Sequence, residues 1–269
     1  MSALQPTPFP ELNAVLSELV TSVQSILAES FIAAWLQGSF AVGDFDQHSD
    51  VDFIIAVENE LSESQVADLQ VMHARIFSLD CPWARCLEGS YFPKDILRGH
   101  SQRGARLWYL DNGHQSLILD AHCNTVVVRS VLLEHGIILA GLGPASLIDP
   151  IPVSVLRQEI LETMHAWGRQ VLADPDMINN RFYQGFAVLH YCRALHDLHT
   201  GHIGSKQAGA EWAKANLDPS WAGLIDRAWD TRPNPSFSVR QPADPEDFQS
   251  TLEFIQYILQ ASLQYTEAS

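Results

Sequence analysis

Gly38-Ser39-Phe40-Ala41-Val42-Gly43, a polar connector over residues 44–49, and then Asp50-Val51-Asp52-Phe53-Ile54-Ile55 form the stretch on which the reading of this chain turns. Read as a strand, its second half has period two: Asp50 and Asp52 share one face while Val51, Phe53 and Ile55 share the other. Two carboxylates therefore stand at the mouth of an apolar strand. Like charges about 4 Å apart repel by roughly 1 kcal/mol in water and about 4 kcal/mol at an effective dielectric near 20. A folded chain must splay the pair into solvent, raise one pKa, or bind a cation. Hard oxygen donors at this spacing suit Mg²⁺, which keeps several waters and combines one or two carboxylates with substrate phosphates. Gly38 and Ser39 supply the complement. Backbone N–H groups at a glycine approach a phosphate closely, and the Ser39 hydroxyl donates to a phosphate oxygen. The pattern asks for a phosphorylated substrate.

Outward from this stretch, residues 10–29 place Leu12, Val15, Leu16, Leu19, Val20, Val23, Ile26 and Leu27 at helical spacing, which predicts an amphipathic helix covering a sheet face. Residues 31–37 read as a short strand ending at Gly38, and 51–57 as a second strand. Residues 62–79 read as a helix with Ser62 at its N-cap and Gln65 in its first turn. Strand-like segments follow at 84–92, 106–109 and 116–128, with Asp111-Asn112-Gly113 as the turn between the last two. Beyond Ile151 the spacing predicts helices over 153–172, 182–200, 205–216, 220–230 and 245–265, broken by Asp-Pro turns and by Pro233-Asn234-Pro235. Asp149-Pro150-Ile151-Pro152 is the natural boundary. It separates an α/β lobe, residues 1–150, from an all-helical lobe, residues 151–269, each of ordinary domain size.

The composition excludes several classes of function. With 269 residues, 46% hydrophobic and 18% charged, the chain is an ordinary globular sequence of one large or two modest domains. Its four cysteines, Cys81, Cys86, Cys123 and Cys192, show neither a C-x-x-C pair nor zinc-site spacing, so reduced thiols in a cytoplasmic protein are expected. The N-terminus lacks a signal-peptide pattern and no apolar window is long enough for a membrane span. The net charge of −16 opposes binding to nucleic acid or to an anionic membrane. Residues 1–74 hold eleven Asp and Glu and no Lys or Arg. Across residues 1–150, seven Lys and Arg face eighteen Asp and Glu, a net −11 that favours cationic partners.

Gly-Ser, a short polar connector and an Asp-x-Asp opening a strand resemble the signature of the nucleotidyltransferase superfamily, matched here by Gly38, Ser39, Asp50 and Asp52. The resemblance implies an α+β fold, a mixed sheet with flanking helices followed by an all-helical C-terminal domain, and transfer of a nucleotidyl group from a nucleoside triphosphate to a hydroxyl. It also implies a third carboxylate on a neighbouring strand, for which Glu88 in Cys86-Leu87-Glu88-Gly89-Ser90-Tyr91 is the candidate, as the base and as a further metal ligand beside Asp50 and Asp52. The segments Leu133-Glu134-His135-Gly136-Ile137-Ile138-Leu139-Ala140-Gly141, Leu147-Ile148-Asp149-Pro150, and Cys192-Arg193 through Gly201-His202-Ile203-Gly204-Ser205-Lys206 are similar to the aminoglycoside adenylyltransferases that act on streptomycin and spectinomycin. That likeness implies ATP as co-substrate with Mg²⁺, an antibiotic-resistance type of activity, and phosphate contacts from Arg193 and Lys206. It also implies a Trp walling the acceptor pocket, matched by Trp108.

The expected acceptor is a small, hydroxylated, cationic molecule, and the expected protein is a monomer or weak dimer. The family places an acidic drug-contacting residue about ten positions before the matched Arg, and that place falls near Tyr183 here. Rival readings are adenylylation of another small molecule or of a protein, and a non-catalytic nucleotide-binding regulator. His196, His199 and His202 share helical spacing but lack the acidic or cysteine partners of a zinc site, so a surface role is expected for them.

Overall fold

Pro10–Leu27 forms α1 because its apolar positions recur every three to four residues. Leu12, Val15, Leu16, Leu19, Val23 and Leu27 are all buried along one stripe, and Pro10 opens the helix where its missing N–H costs nothing. The helix lies on a six-stranded sheet built from β1 (Phe31–Leu36), β2 (Val51–Val57), β3 (Leu87–Pro93), β4 (Leu107–Leu110), β5 (Leu117–Asp120) and β6 (Ile137–Gly141). The computed structural model describes residues 5–46, 49–231 and 240–266, and the turn expected at Pro233-Asn234-Pro235 lies outside them.

The strand order is β5-β4-β3-β2-β1-β6. Only β2 and β3 pair in parallel; the other four pairings are antiparallel, so the sheet is mixed. The parallel step requires a crossover, and α3 (Glu63–Phe77) makes it. Ser62 caps α3 in a reciprocal box with Gln65: the Ser62 hydroxyl accepts the Gln65 N–H at 3.3 Å, and Gln65 Oε1 accepts the Ser62 N–H at 2.9 Å. Side-chain alternation along β1 and β2 divides the core in two. Ala34, Leu36, Val51, Phe53, Ile55 and Val57 pack with α1 and α3, whereas Ala33, Trp35, Ile54 and Ala56 pack on the other face with Phe92, Leu97 and Leu132.

The expected strand at 116–128 is corrected by the structure. Pairing with β4 ends at Asp120, and residues 126–135 form α5 (Val126–His135). Three consecutive valines favour a strand on local propensity. Two features override them. The Thr125 hydroxyl accepts the Val128 N–H at 3.0 Å and caps a helix, while fully buried Arg129 donates to the carbonyls of Leu97, Ile96 and Thr125 and to Asn124 Oδ1. A further short helix, α4 (Lys94–Arg98), offers two of those carbonyls.

By density of contacts the chain divides into two units, Met1–Ile151 and Pro152–Ser269. The second consists of α6 (Val153–Ala173), α7 (Arg181–Thr200), α8 (Lys206–Asn216), α9 (Ala222–Asp230) and α10 (Pro245–Ser262). α7 is its axis, with buried residues on every side including Val188, Leu189, Tyr191, Cys192 and Leu195, and the other four helices pack around it. The Tyr191 hydroxyl donates to the Met164 carbonyl at 3.0 Å, and Gln184 donates to the Thr251 hydroxyl at 3.0 Å, which fixes α6 and α10 to this axis. Among the described residues, no helix is long and apolar enough to cross a membrane.

Candidate active site

β1 leads directly into the site. After Gln37, whose N–H donates to the Asp52 carbonyl at 2.8 Å, the chain enters the short helix α2 (Gly38–Val42). Gly38 has φ +62°, and a Cβ at this position would fall 1.9 Å from Asp52 Oδ2. Only glycine relieves both the backbone and the contact, so the Gly-Ser turn is pressed against the second aspartate of the Asp-x-Asp pattern. The Ser39 hydroxyl is buried and has no hydrogen-bond partner among the described residues. An orphaned buried hydroxyl costs about 1–3 kcal/mol and points to a ligand or water that is met there.

Asp52 and Glu88 are register partners across the parallel β2–β3 pair and lie on the same face. Each carboxylate of the group has its own support. Asp50 Oδ1 accepts from Asn112 Nδ2, in the turn between β4 and β5. Glu88 Oε1 accepts from the Tyr109 hydroxyl at 2.7 Å and lies 3.2 Å from His122 Nε2. Burial, reinforced by the charge of Glu88, pushes the Tyr109 phenol well above its ordinary range, so it remains a donor. The hydrogen bond to Glu88 raises the His122 pKa against the opposing effect of burial. Sequence reasoning missed Tyr109, His122 and Asn112. The Asp111-Asn112-Gly113 turn signal located Asn112, but nothing in the spacing revealed that β4 folds back against β3.

Trp108 lies on the sheet face opposite Glu88. Neighbouring residues on a strand face opposite ways, so with Tyr109 turned toward Glu88, Trp108 turns to the other side. There, half-buried, it packs against the core cluster shared with α1 and α3. The structure therefore separates Trp108 from the carboxylates.

Among the described residues no three His, Cys, Asp or Glu side chains are already gathered at metal-binding distance. Asp50 and Glu88 are instead turned to donors from β4 and the segments flanking β5. The chemistry of the group, carboxylate oxygens beside an orphaned hydroxyl, is nonetheless that of a hard divalent cation.

In the helical unit, Arg193 and Lys206 are brought together. A Cβ at Gly209 would lie 2.5 Å from Arg193 Cα, so the first turn of α8 rests on α7 at Arg193. Burial, together with the charges of Arg193 and Lys206, lowers the His190 pKa to about 3. Lys206 Nζ sits 5.2 Å from the centre of the Phe186 ring. Ser205 caps α8 by accepting the Ala208 N–H at 3.0 Å. Buried Asp197 accepts the Gly204 N–H at 2.8 Å, and that bond fixes the loop leading into Lys206. His196 pairs with Asp197 at 2.9 Å and His199 with the Tyr265 hydroxyl at 3.2 Å, which accounts for two of the three histidines by packing. Tyr183 is exposed in the first turn of α7.

A mixed sheet with a Gly-Ser turn pressed on an Asp-x-Asp strand, and a carboxylate on the next strand, is the arrangement that the resemblance to nucleotidyltransferases implies. Residues 146–258 match the family model described as "Aminoglycoside adenylyltransferase, C-terminal domain". The chain is thus similar to the aminoglycoside adenylyltransferases, in this C-terminal domain and along most of its length. Its relatives include the aminoglycoside (3'') (9) adenylyltransferase of Escherichia coli, 25% identical over 239 residues that cover 80% of this chain and 82% of that protein. The protein of the same name from Shigella flexneri is 24% identical over 80% of this chain and 83% of its own length. The fold also matches the crystal structure of spectinomycin adenyltransferase AAD(9) from Enterococcus faecialis with ATP and spectinomycin. The TM-score is 0.68 at 14% identity, over 92% of this chain and 98% of that one.

Proposed function

We propose that this chain transfers AMP from ATP to a hydroxyl of a small cationic acceptor of the aminoglycoside kind. The observation that carries this reading is the buried, unpartnered Ser39 hydroxyl on a turn where Gly38 abuts Asp52. Asp50 and Asp52 would hold Mg²⁺, with Glu88 sharing it, and the bound ion supplies charge neutralisation at the triphosphate. Ser39 donates to a phosphate oxygen, and the absent side chain at Gly38 lets the backbone approach. Glu88 accepts the proton of the acceptor hydroxyl as its oxygen attacks the α-phosphorus. The new O–P bond forms in line with the departing pyrophosphate, and the proton remains on Glu88 until it is released to solvent.

Arg193 and Lys206 are proposed to offset phosphate charge from the helical unit, which would give residues 151–269 their role in holding nucleotide. The net −11 of residues 1–150 favours a cationic acceptor through a long-range attraction that weakens with ionic strength. Because Tyr183 stands near the family's acidic position, streptomycin and spectinomycin serve as probes within a wider panel of hydroxylated amines. Purified protein with ATP and Mg²⁺ is expected to release pyrophosphate only when a suitable acceptor is added. Silence across the panel with ATP binding intact removes the aminoglycoside assignment, and failure to bind ATP removes the transferase reading.

A further inference from the structure

We propose that Tyr109 and His122 are positioning residues that hold Glu88 by a single oxygen, Oε1, and thereby present Oε2 to the attacking hydroxyl. This rests on the reading of Glu88 as the proton acceptor and adds what orients it. Both contacts converge on the same atom, the Tyr109 hydroxyl at 2.7 Å and His122 Nε2 at 3.2 Å. The phenol also lies 3.1 Å from Asp111 Oδ1, but it carries one proton and its shorter contact is to Glu88. Among the described residues, no hydrogen bond is made to Oε2.

The two donors are themselves fixed. Tyr109 sits on β4 in register with Ser90, two residues along β3 from Glu88. His122 follows β5, where its backbone N–H donates to Asp120 Oδ1 at 2.8 Å, and its ring lies against that of Tyr109 with centroids 5.3 Å apart and planes inclined at 31°. The Glu88 side chain is 12% exposed, whereas that of His122 is 63% exposed, so the imidazole lies on the solvent side of the carboxylate. The terminal torsion of a glutamate is broad and nearly two-fold. Two donors on one oxygen remove that freedom before substrate arrives, and a base held in one orientation needs no reorganisation during the reaction.

Crystal structures provide a test independent of turnover. In the wild type Glu88 is expected in one orientation with Oε1 toward Tyr109 and His122; in Tyr109→Phe/His122→Ala the carboxylate is expected to turn or to adopt more than one orientation. An unchanged carboxylate in the double variant overturns the proposal, and the two single variants carry the same comparison should the double not fold. The second readout is pyrophosphate release with MgATP and spectinomycin, or whichever panel amine is accepted. His122→Ala should lower kcat about tenfold or more with KM for ATP within about twofold, and His122→Gln, which restores an N–H near the Nε2 position, should recover to within about threefold of wild type. In a Glu88→Gln background His122→Ala should cost nothing more, and a further equal loss there overturns the proposal. Full transfer by Glu88→Gln alone, with the carboxylate of the wild type still oriented by Tyr109 and His122, removes the base assignment and leaves the orientation standing.

Discussion

Asp52 and Glu88 stand directly across from one another on the parallel β2–β3 pair, so carboxylates 36 residues apart in the chain share one face of the sheet. Their surroundings differ. Asp52 is pressed by Gly38, in the turn whose next residue, Ser39, carries the orphaned hydroxyl, whereas Glu88 is gripped by Tyr109 and His122.

The two should therefore fail differently. Asp52→Asn is expected to weaken MgATP binding about tenfold or more, because a neutral amide is a poor ligand for a hard cation. Glu88→Gln should lower kcat about a hundredfold or more with the dissociation constant for MgATP within about threefold. Titration calorimetry and pyrophosphate release separate the outcomes. Equal effects of both substitutions on binding would contradict this division of labour.

Gly38→Ala should be costly for its size. The added methyl meets Asp52 Oδ2 at 1.9 Å on a backbone with φ +62°. About 1–3 kcal/mol of stability is expected to be lost, or Asp52 displaced with a matching loss of MgATP affinity. Urea denaturation and calorimetry on the same sample distinguish these, and a silent variant would show that the turn is free to relax.

Arg129 lies fully buried, with its guanidinium 5.5 Å from the centre of the Phe92 ring. Arg129→Met removes the donors that serve Ile96, Leu97, Thr125 and Asn124. The expected cost is about 3 kcal/mol or more, read as a lower urea midpoint at unchanged slope. A change below about 1 kcal/mol would mean that water or a neighbouring donor replaces the guanidinium.

Burial lowers the His73 pKa to about 3, while its Nε2 lies 2.7 Å from the hydroxyl of buried Tyr91. The unfolded chain takes up a proton at this residue near pH 6.5 and the folded chain does not until about pH 3, so between those values the unfolded state binds more protons. Stability from this residue is present above pH 6.5 and is lost as pH falls, by about 1.4 kcal/mol per pH unit. His73→Gln should show a correspondingly shallower decline between pH 6.5 and 4.5 in urea titrations. Parallel curves for the two proteins would show that His73 protonates without opening the fold.

Much of the architecture was legible in the sequence where periodicity and a local cap agreed. The stripe from Leu12 to Leu27 and the Ser62–Gln65 box are interactions within one helix, and their signals survive without tertiary context. The strand expected at 116–128 failed because the valine run at 126–128 carries a strand propensity that Thr125 and buried Arg129 override. Strand alternation likewise separates two neighbours on β4: it packs half-buried Trp108 against the core under α1 and α3 and turns Tyr109 toward Glu88.

By itself the sequence determined the longer helices, α1, α3 and α6 to α10, because each depends on residues a few positions apart. Only the tertiary structure decided that Glu88 lies across from Asp52 and that Asn112, Tyr109 and His122 converge on the carboxylates. Those relations are set by strand order and register, through hydrogen bonds between segments dozens of residues apart, and no local spacing encodes which strand will become the neighbour of which.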